Sequence, residues 1–337
     1  MQSKELNNSF VNHINDSPSS PDTSELFESL LSGCREHYSI PQSAFTNYNV
    51  KRGLRNPDGT GVMAGITKIG NAHGYIINEG ERTSIEGELY YRGYNITDLI
   101  RGYVSEGRYG FEETAYLLFF GELPTKKQLE DFDTLLDSYR YLPPRFTEDV
   151  IMKAPSTSLM NKMASSVLAL YAYDENPDET SLENMLRQAM QLLARLPIIA
   201  AQSYAFNRSH FYGDSLNIHN PQLNMSTAQN FLRIMRPDCS FTEDEAKLLD
   251  LCLVLHAEHG GGNNSAFTCR VVSSSGSDTY SAIASAICSL KGPKHGGANI
   301  KVQEMFDCIK EGVSDWNDDD EISAFLERLL LGEVGDH

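Results

Sequence analysis

Two short glycine-rich stretches carry the residues best suited to chemistry: HAEHGGGNNS, from His256 to Ser265, and KGPKHGGAN, from Lys291 to Asn299. In the first, His256 and His259 lie one helical turn apart with Glu258 between them. That spacing could serve a metal ion, but the H-E-x-x-H order of zinc hydrolases is absent and no third ligand is evident, so no metal is assigned. A plainer reading makes His256 a core histidine and the glycines a helix stop. The functional reading puts His259 where an apolar helix opens into a loop. Its glycines let backbone approach a small anion, and the ring serves as donor or cation.

In the second stretch Gly292–Pro293 ends one helix, and Gly296–Gly297 precede the apolar-periodic IKVQEMFDCI. His295 therefore falls in a tight turn near the start of a helix. A helix N-terminus lowers a histidine's pKa and favours the neutral ring, which can donate a hydrogen bond to a carbonyl without bringing a full charge. Lys291 and Lys294 form a basic island in an acidic chain. An ordinary Gly/Pro turn with solvated lysines is the alternative, and neither stretch is decisive alone.

Helices must position both loops. TEDEAKLLDLCLVLHAEH opens on the capping-box pair Thr242 and Glu245 and then turns apolar, which predicts a helix over 242–259. SDTYSAIASAICSLKG has small residues on several faces, as suits a helix buried among helices over 278–291. SLENMLRQAMQLLARLPIIAAQSYAF predicts a long helix kinked at Pro197. Phe111–Phe120 forms another, closed by Gly121 and Pro124, and a last helix runs from about Asp318 to Leu331. Upstream, helical signals begin at Thr23–Ser24, ahead of Phe27, Leu30 and Leu31. Between residues 53 and 92 the segments TKIG, GYIIN and GELYYRGY, bounded by turn residues, predict a small β-meander. The predicted class is mostly α, with no internal repeat. Residues 1–22, rich in Ser, Asn and Asp, read as a mobile extension.

With 337 residues, 40% hydrophobic and 22% charged, the chain can bury a sizeable core. A net charge of -18 argues against nucleic acid and anionic membrane as partners. The six cysteines show no CxxC pairing and read as free thiols. The N-terminus has no secretory apolar stretch and no arginine, and no apolar run reaches bilayer length, so a cytoplasmic location is expected.

Taken together and in order, HAEHGGGNNSAFTCRVVSSSGSDTYSAIASAICSLKGPKHGGAN closely resembles the citrate synthase family, clostridial-type bacterial members above all. The earlier GELYYRGYNITDLI and FEETAYLLFFGELPT resemble that family's N-terminal region, and the similarity runs from about Val50 to Phe306. The resemblance implies a multi-helical large domain, here 23–297, followed by the start of a small domain over 298–337. It implies a homodimer and no cofactor. The substrates it implies are acetyl-CoA and oxaloacetate. The thioester methyl is deprotonated to an enol that attacks the oxaloacetate carbonyl, and the citryl thioester is hydrolysed. Such chemistry needs a carboxylate base and a donor to the developing enolate oxygen.

By motif position, His295 matches the family histidine that donates to the thioester carbonyl, and Ser265 matches the serine that fixes its tautomer. His259 matches a histidine that binds oxaloacetate, and Asn263 a position near that substrate. Lys291 and Lys294 become candidates for contacts to CoA. The family's later G-H-x-V, D-P-R and D-x-x-S-G segments, which bring a second histidine, an arginine and the catalytic aspartate, have no counterpart here. Asp318, Asp319 and Asp320 read as a helix cap rather than a substitute base. The expectation is thus a C-terminally shortened citrate synthase with little activity of its own. Its large domain would lack the returning helices, leaving apolar faces of 242–259 and 278–291 partly uncovered. The alternatives are a 2-methylcitrate synthase, or a naturally short, non-catalytic subunit that binds a metabolite or pairs with a longer chain.

Overall fold

Tyr91 shows how the chain is put together: it ends a strand, starts an apolar cluster and reaches the end of a helix 163 residues away. The computed structural model describes residues 41–47, 56, 61–62, 66–79 and 81–335. The extension expected over 1–22 and the helix expected from Thr23 lie outside the described residues. Those described divide into two units. The first, up to Val62, contributes the short helix α1 (Gln42–Asn47). Everything from Ile66 on belongs to the second.

The second unit opens with the expected meander. Strands β1 (Gly70–Asn78), β2 (Glu81–Tyr91) and β3 (Tyr94–Asn95) form an antiparallel sheet in chain order, with Gly70 opposite Tyr91. Helices follow: α2 (Ile96–Ser105), α3 (Phe111–Phe120), α4 (Lys126–Tyr139), a π-helical turn (Thr147–Met152), α5 (Leu159–Leu170), α6 (Leu182–Tyr212) and α7 (Thr227–Met235). Then come α8 (Glu243–Leu255), α9 (Asn264–Ser274), α10 (Thr279–Leu290), α11 (Ala298–Gly312) and α12 (Asp319–Leu330). The described residues are mostly helical, with a small antiparallel sheet.

Most boundaries follow local chemistry. Thr242 and Glu245 form the reciprocal cap expected for α8. Gly121 closes α3 in the left-handed conformation, and Asp318 caps α12 by accepting from Asp320 and Glu321 N–H groups. The chain remains helical through Pro197 over 31 residues. Burial of Ile198 and Ile199 outweighs the hydrogen bond that proline cannot make. Helix α8 stops at Leu255, four residues before the predicted end, for reasons that belong to the site below.

The main core joins the π-helical turn, α5, α6 and α10 through Phe146, Ile151, Val167, Leu170, Leu192, Ile199 and Tyr280. A second cluster joins the sheet, α2, α3 and α8 through Tyr91, Leu99, Leu117 and Val254. Helices α11 and α12 have their own cluster of Ile309, Val313 and Phe325. Apolar side chains are exposed on α8 (Leu248, Leu255) and at the end of α10 (Leu290), and α9 buries no residue.

Polar groups inside the fold act as ties. Asp174 accepts from Arg187, Gln188, the Tyr280 hydroxyl and the Asn176 N–H, at 2.7–3.0 Å. Burial alone would raise its pKa, but these donors outweigh burial and hold it at about 2. Glu112, Asp133, Asp137 and Arg140 line a cavity of about 550 Å³. There Glu112 accepts from Thr227 N–H and Asp137 from Asn224 N–H. Arg140 Nε lies 3.2 Å from Asp137 Oδ1, an ion-pair contact without hydrogen-bond alignment.

Burial, then the neighbouring Glu112 charge, pushes the Asp133 carboxyl up to about 7, and burial pushes Asp250 to about 6. A carboxyl whose folded pKa is raised holds its proton in the folded state from the ordinary value of 3.8 upward. Its contribution is therefore fully present at low pH and is lost as pH rises through 4–7. Asp133→Asn is expected to raise Tm at pH 8 by about 2–4 °C, an effect on the order of 1 kcal/mol after solvent screening, and to change it little at pH 4. Thermal melts of both proteins at the two pH values check this; an equal shift at both would contradict it.

Candidate active site

The first loop is held from below by the sheet. The Tyr91 hydroxyl lies 2.9 Å from Val254 O, 3.1 Å from Leu255 O and 3.2 Å from Glu258 O, and it accepts from Glu258 N–H at 3.2 Å. The first two carbonyls are the last of α8 and the third belongs to the loop that follows, so the tyrosine ties the helix end to the loop. The His256 ring adds to this end, its Nδ1 lying 2.7 Å from Cys252 O, which also accepts from His256 N–H. Together these contacts end α8 early. His256 is exposed and caps the helix; it is not the core histidine of the plainer sequence reading. Opposite Tyr91, Gly70 gives Glu258 room, since a Cβ there would sit 2.3 Å from Glu258 Cγ. Glu258 Oε1 in turn accepts from Gly260 N–H.

Of the three glycines only Gly260 needs to be one for its backbone, with φ at 87°. Added Cβ atoms at Gly261 and Gly262 would meet nothing within 4 Å, so the space beside them is open. His259 is exposed in this loop. Asn263 caps α9, its Oδ1 accepting from Ser265 N–H at 2.9 Å and Ala266 N–H at 3.3 Å. That duty leaves its Nδ2 amide as the group it can offer a ligand.

The second loop is a set of nested turns. Gly292 N–H donates to Ser289 O, and both His295 N–H and Gly296 N–H donate to Gly292 O. The chain folds so tightly that a Cβ at Gly296 would lie 2.0 Å from Leu290 O, and one at Gly297 2.1 Å from Pro293 O. Helix α11 starts at Ala298 with Gly297 as its cap, so His295 stands just ahead of a helix start as expected. Lys291 caps α10 and Lys294 flanks His295, and both are exposed.

The two loops meet at one point. Ser265 Oγ lies 2.8 Å from His295 Nε2 across 30 residues of sequence. Nδ1 of the same ring has no hydrogen-bond partner among the described residues. The arrangement is a half-buried histidine with one nitrogen held by a hydroxyl and the other open to a ligand. His259 and Asn263 share the first loop but make no hydrogen bond to His295 among the described residues. Nor does any group of three or more His, Cys, Asp or Glu there have the arrangement of a metal site.

A family model described as "Citrate synthase, C-terminal domain" matches residues 53–334. The chain belongs to the citrate synthase family. It is 34% identical over 260 residues to the citrate synthase of Haloferax volcanii, covering 75% of this chain and 65% of that one. It is 37% identical over 235 residues to 2-methylcitrate synthase 1 of Corynebacterium glutamicum, covering 68% and 58%. The crystal structure of citrate synthase from Pyrobaculum aerophilum superposes with a TM-score of 0.62 at 32% identity, covering 78% of this chain and 62% of that one. The fold is thus the mostly helical citrate synthase fold with a small antiparallel sheet near its start. In the matches named here this chain spans 58–65% of its relatives' length.

Tyr91 is the contributor the sequence reading missed. Its expected value is measurable: Tyr91→Phe should cost about 1–3 kcal/mol, because the hydroxyl's shared hydrogen bond to the Val254, Leu255 and Glu258 carbonyls and its acceptance of Glu258 N–H are both lost. Urea unfolding reads the cost, and amide exchange over 256–262 should quicken while α6 stays protected. An unchanged urea midpoint would refute the tie.

Proposed function

We propose that this chain carries part of an active site that condenses acetyl-CoA with oxaloacetate to give citrate and CoA. The observation that supports it most is the Ser265–His295 hydrogen bond. With Nε2 accepting from the serine hydroxyl, the ring proton resides on Nδ1, the nitrogen without a protein partner. That N–H donates to the thioester carbonyl oxygen as a carboxylate base removes the methyl proton, and the enol carbon then attacks the oxaloacetate carbonyl. Water cleaves the citryl thioester and CoA leaves as the thiol. His259 and the Asn263 amide would hold oxaloacetate, while Lys291 and Lys294 would meet the phosphates of CoA. The base and the arginine clamps belong to G-H-x-V, D-P-R and D-x-x-S-G segments that these 337 residues lack. On their own they should therefore turn over slowly, since losing a general base costs a factor of about 100–10,000.

The same chemistry with propionyl-CoA is the second reading, favoured by the 37% identity to a 2-methylcitrate synthase. A short, non-catalytic partner subunit is the third. The exposed apolar side chains of α8 and α10 support a homodimer, which we place in the cytoplasm as part of the same proposal. We read 298–337 as the beginning of a small domain, which its separate apolar cluster supports. The deciding experiment uses protein purified from its native source, weighed intact and assayed for oxaloacetate-dependent thiol release from acetyl- and propionyl-CoA. A mass above 37.6 kDa with faster acetyl-CoA turnover is expected. Faster propionyl-CoA turnover selects the second reading, and a matching mass without turnover selects the third.

A further inference from the structure

Helices α9 and α10 are consecutive and pack side by side, joined at one end by the 275–278 connection and open at the other. The open end carries both loops of the site. Three successive residues close it, each in a different way. Asn263 caps α9, Ser265 bonds the His295 ring, and between them Asn264 Nδ2 donates to Ser289 Oγ at 2.8 Å. Ser289 lies on the last turn of α10, and its carbonyl accepts from Gly292 N–H. The Gly292 carbonyl then accepts from His295 N–H at 2.9 Å. A continuous run of hydrogen bonds thus leads from Asn264 through Ser289 and Gly292 to the main chain of His295, parallel to the direct contact from Ser265.

We propose that Asn264 and Ser289 are positioning residues for His295. Their bond sets the spacing of the two helix ends at which the Ser265 hydroxyl meets Nε2, and so holds the ring in the Nδ1–H tautomer. Without it the Ser265–His295 bond is the remaining side-chain hydrogen bond between these two helix ends among the described residues, and the packing of the helices sets their spacing less sharply. A bond between two flexible side chains tolerates a shift of the ends only by lengthening, and hydrogen bonds weaken steeply as they lengthen or bend. The inference rests on the reading of His295 as a donor from Nδ1.

The test is nitrogen NMR of the His295 side chain in the 337-residue protein, which reads the tautomer without requiring turnover. The wild type should show one neutral tautomer protonated on Nδ1. Ser289→Ala, a change that favours a helix and should leave the fold intact, should lower the tautomer ratio several-fold. Ser289→Thr keeps the hydroxyl, and Asn264→Asp lets that hydroxyl donate instead of accept; both should restore the wild-type ratio. Ser265→Ala serves as reference. If Ser265→Ala shifts the ratio and Ser289→Ala does not, the positioning role is overturned and the donor reading stands. If the wild type is protonated on Nε2, or Ser265→Ala changes nothing, the donor reading itself fails, and this inference with it.

Discussion

Gly296→Ala is expected to unseat His295. The new Cβ would lie 2.0 Å from Leu290 O, a main-chain atom that cannot move without unwinding the end of α10. The turn from Lys291 to Gly297 must then rebuild, and the Ser265–His295 contact at 2.8 Å goes with it. Overpacking of this kind costs about 1–3 kcal/mol in stability. If His295 acts as proposed, the larger effect is on catalysis, because a displacement of about 1 Å at a reacting group costs on the order of 100-fold in rate. In active protein from the native source, Gly296→Ala should therefore lose about 100-fold in turnover while remaining folded by circular dichroism. Gly292→Ala is the control: its Cβ would sit 3.3 Å from Ser289 O, a distance relieved by a few tenths of an ångström. Equal rates for the two variants would show that the tightness of the turn does not matter.

The second large effect is on the fold. Asp174→Ala removes an acceptor that serves Arg187, Gln188, Tyr280 and the Asn176 N–H. The side chain of Asp174 is 3% exposed and Gln188 and Tyr280 are fully buried, so no water replaces it readily. Breaking a buried pair by removing one partner costs about 3–5 kcal/mol. For a domain of this size that corresponds to a Tm drop of about 6–20 °C. Tyr280 lies at the start of α10, so the loss should also loosen the helix that leads into the His295 turn. Since the Asp174 pKa is depressed, its contribution is present above the ordinary carboxylate value and fades as pH falls toward 2. Asp174→Ala should thus cost as much at pH 5 as at pH 8. Differential scanning calorimetry at both values checks this, and a cost confined to high pH would contradict it.

Much of this architecture was legible because its signals are local. The capping pair Thr242 and Glu245, the glycine stop at Gly121 and the aspartate cap at Asp318 each state a boundary in three or four letters. The meander was legible from alternating segments between turn residues. The two histidine loops were legible from their glycines, and the pairing of Ser265 with His295 came from family resemblance; their contact across 30 residues appears only once α9 and α10 pack. Long-range ties had no such signal. A tyrosine at the end of a strand after Leu89 and Tyr90 reads as a core residue, and nothing near Tyr91 announces that its hydroxyl serves carbonyls of α8. The early end of α8 was hidden for the same reason, because the Val254 and Leu255 carbonyls are met by Tyr91, 163 and 164 residues away in sequence. The long helix through Pro197 was legible from its apolar spacing, and burial of the two isoleucines that follow the proline supports it. Ser289 looked like one of several small helix residues until its partner came into view.

On the proposed function, His295 is the enol donor and His259 holds oxaloacetate, while the base lies outside these 337 residues. Oxaloacetate-dependent thiol release from acetyl-CoA by the purified 337-residue chain tests this most directly. A rate at least about 100-fold below that of an ordinary enzyme is expected. Turnover near the typical value of about 10 per second would contradict it, because a working base would then have to lie within this chain.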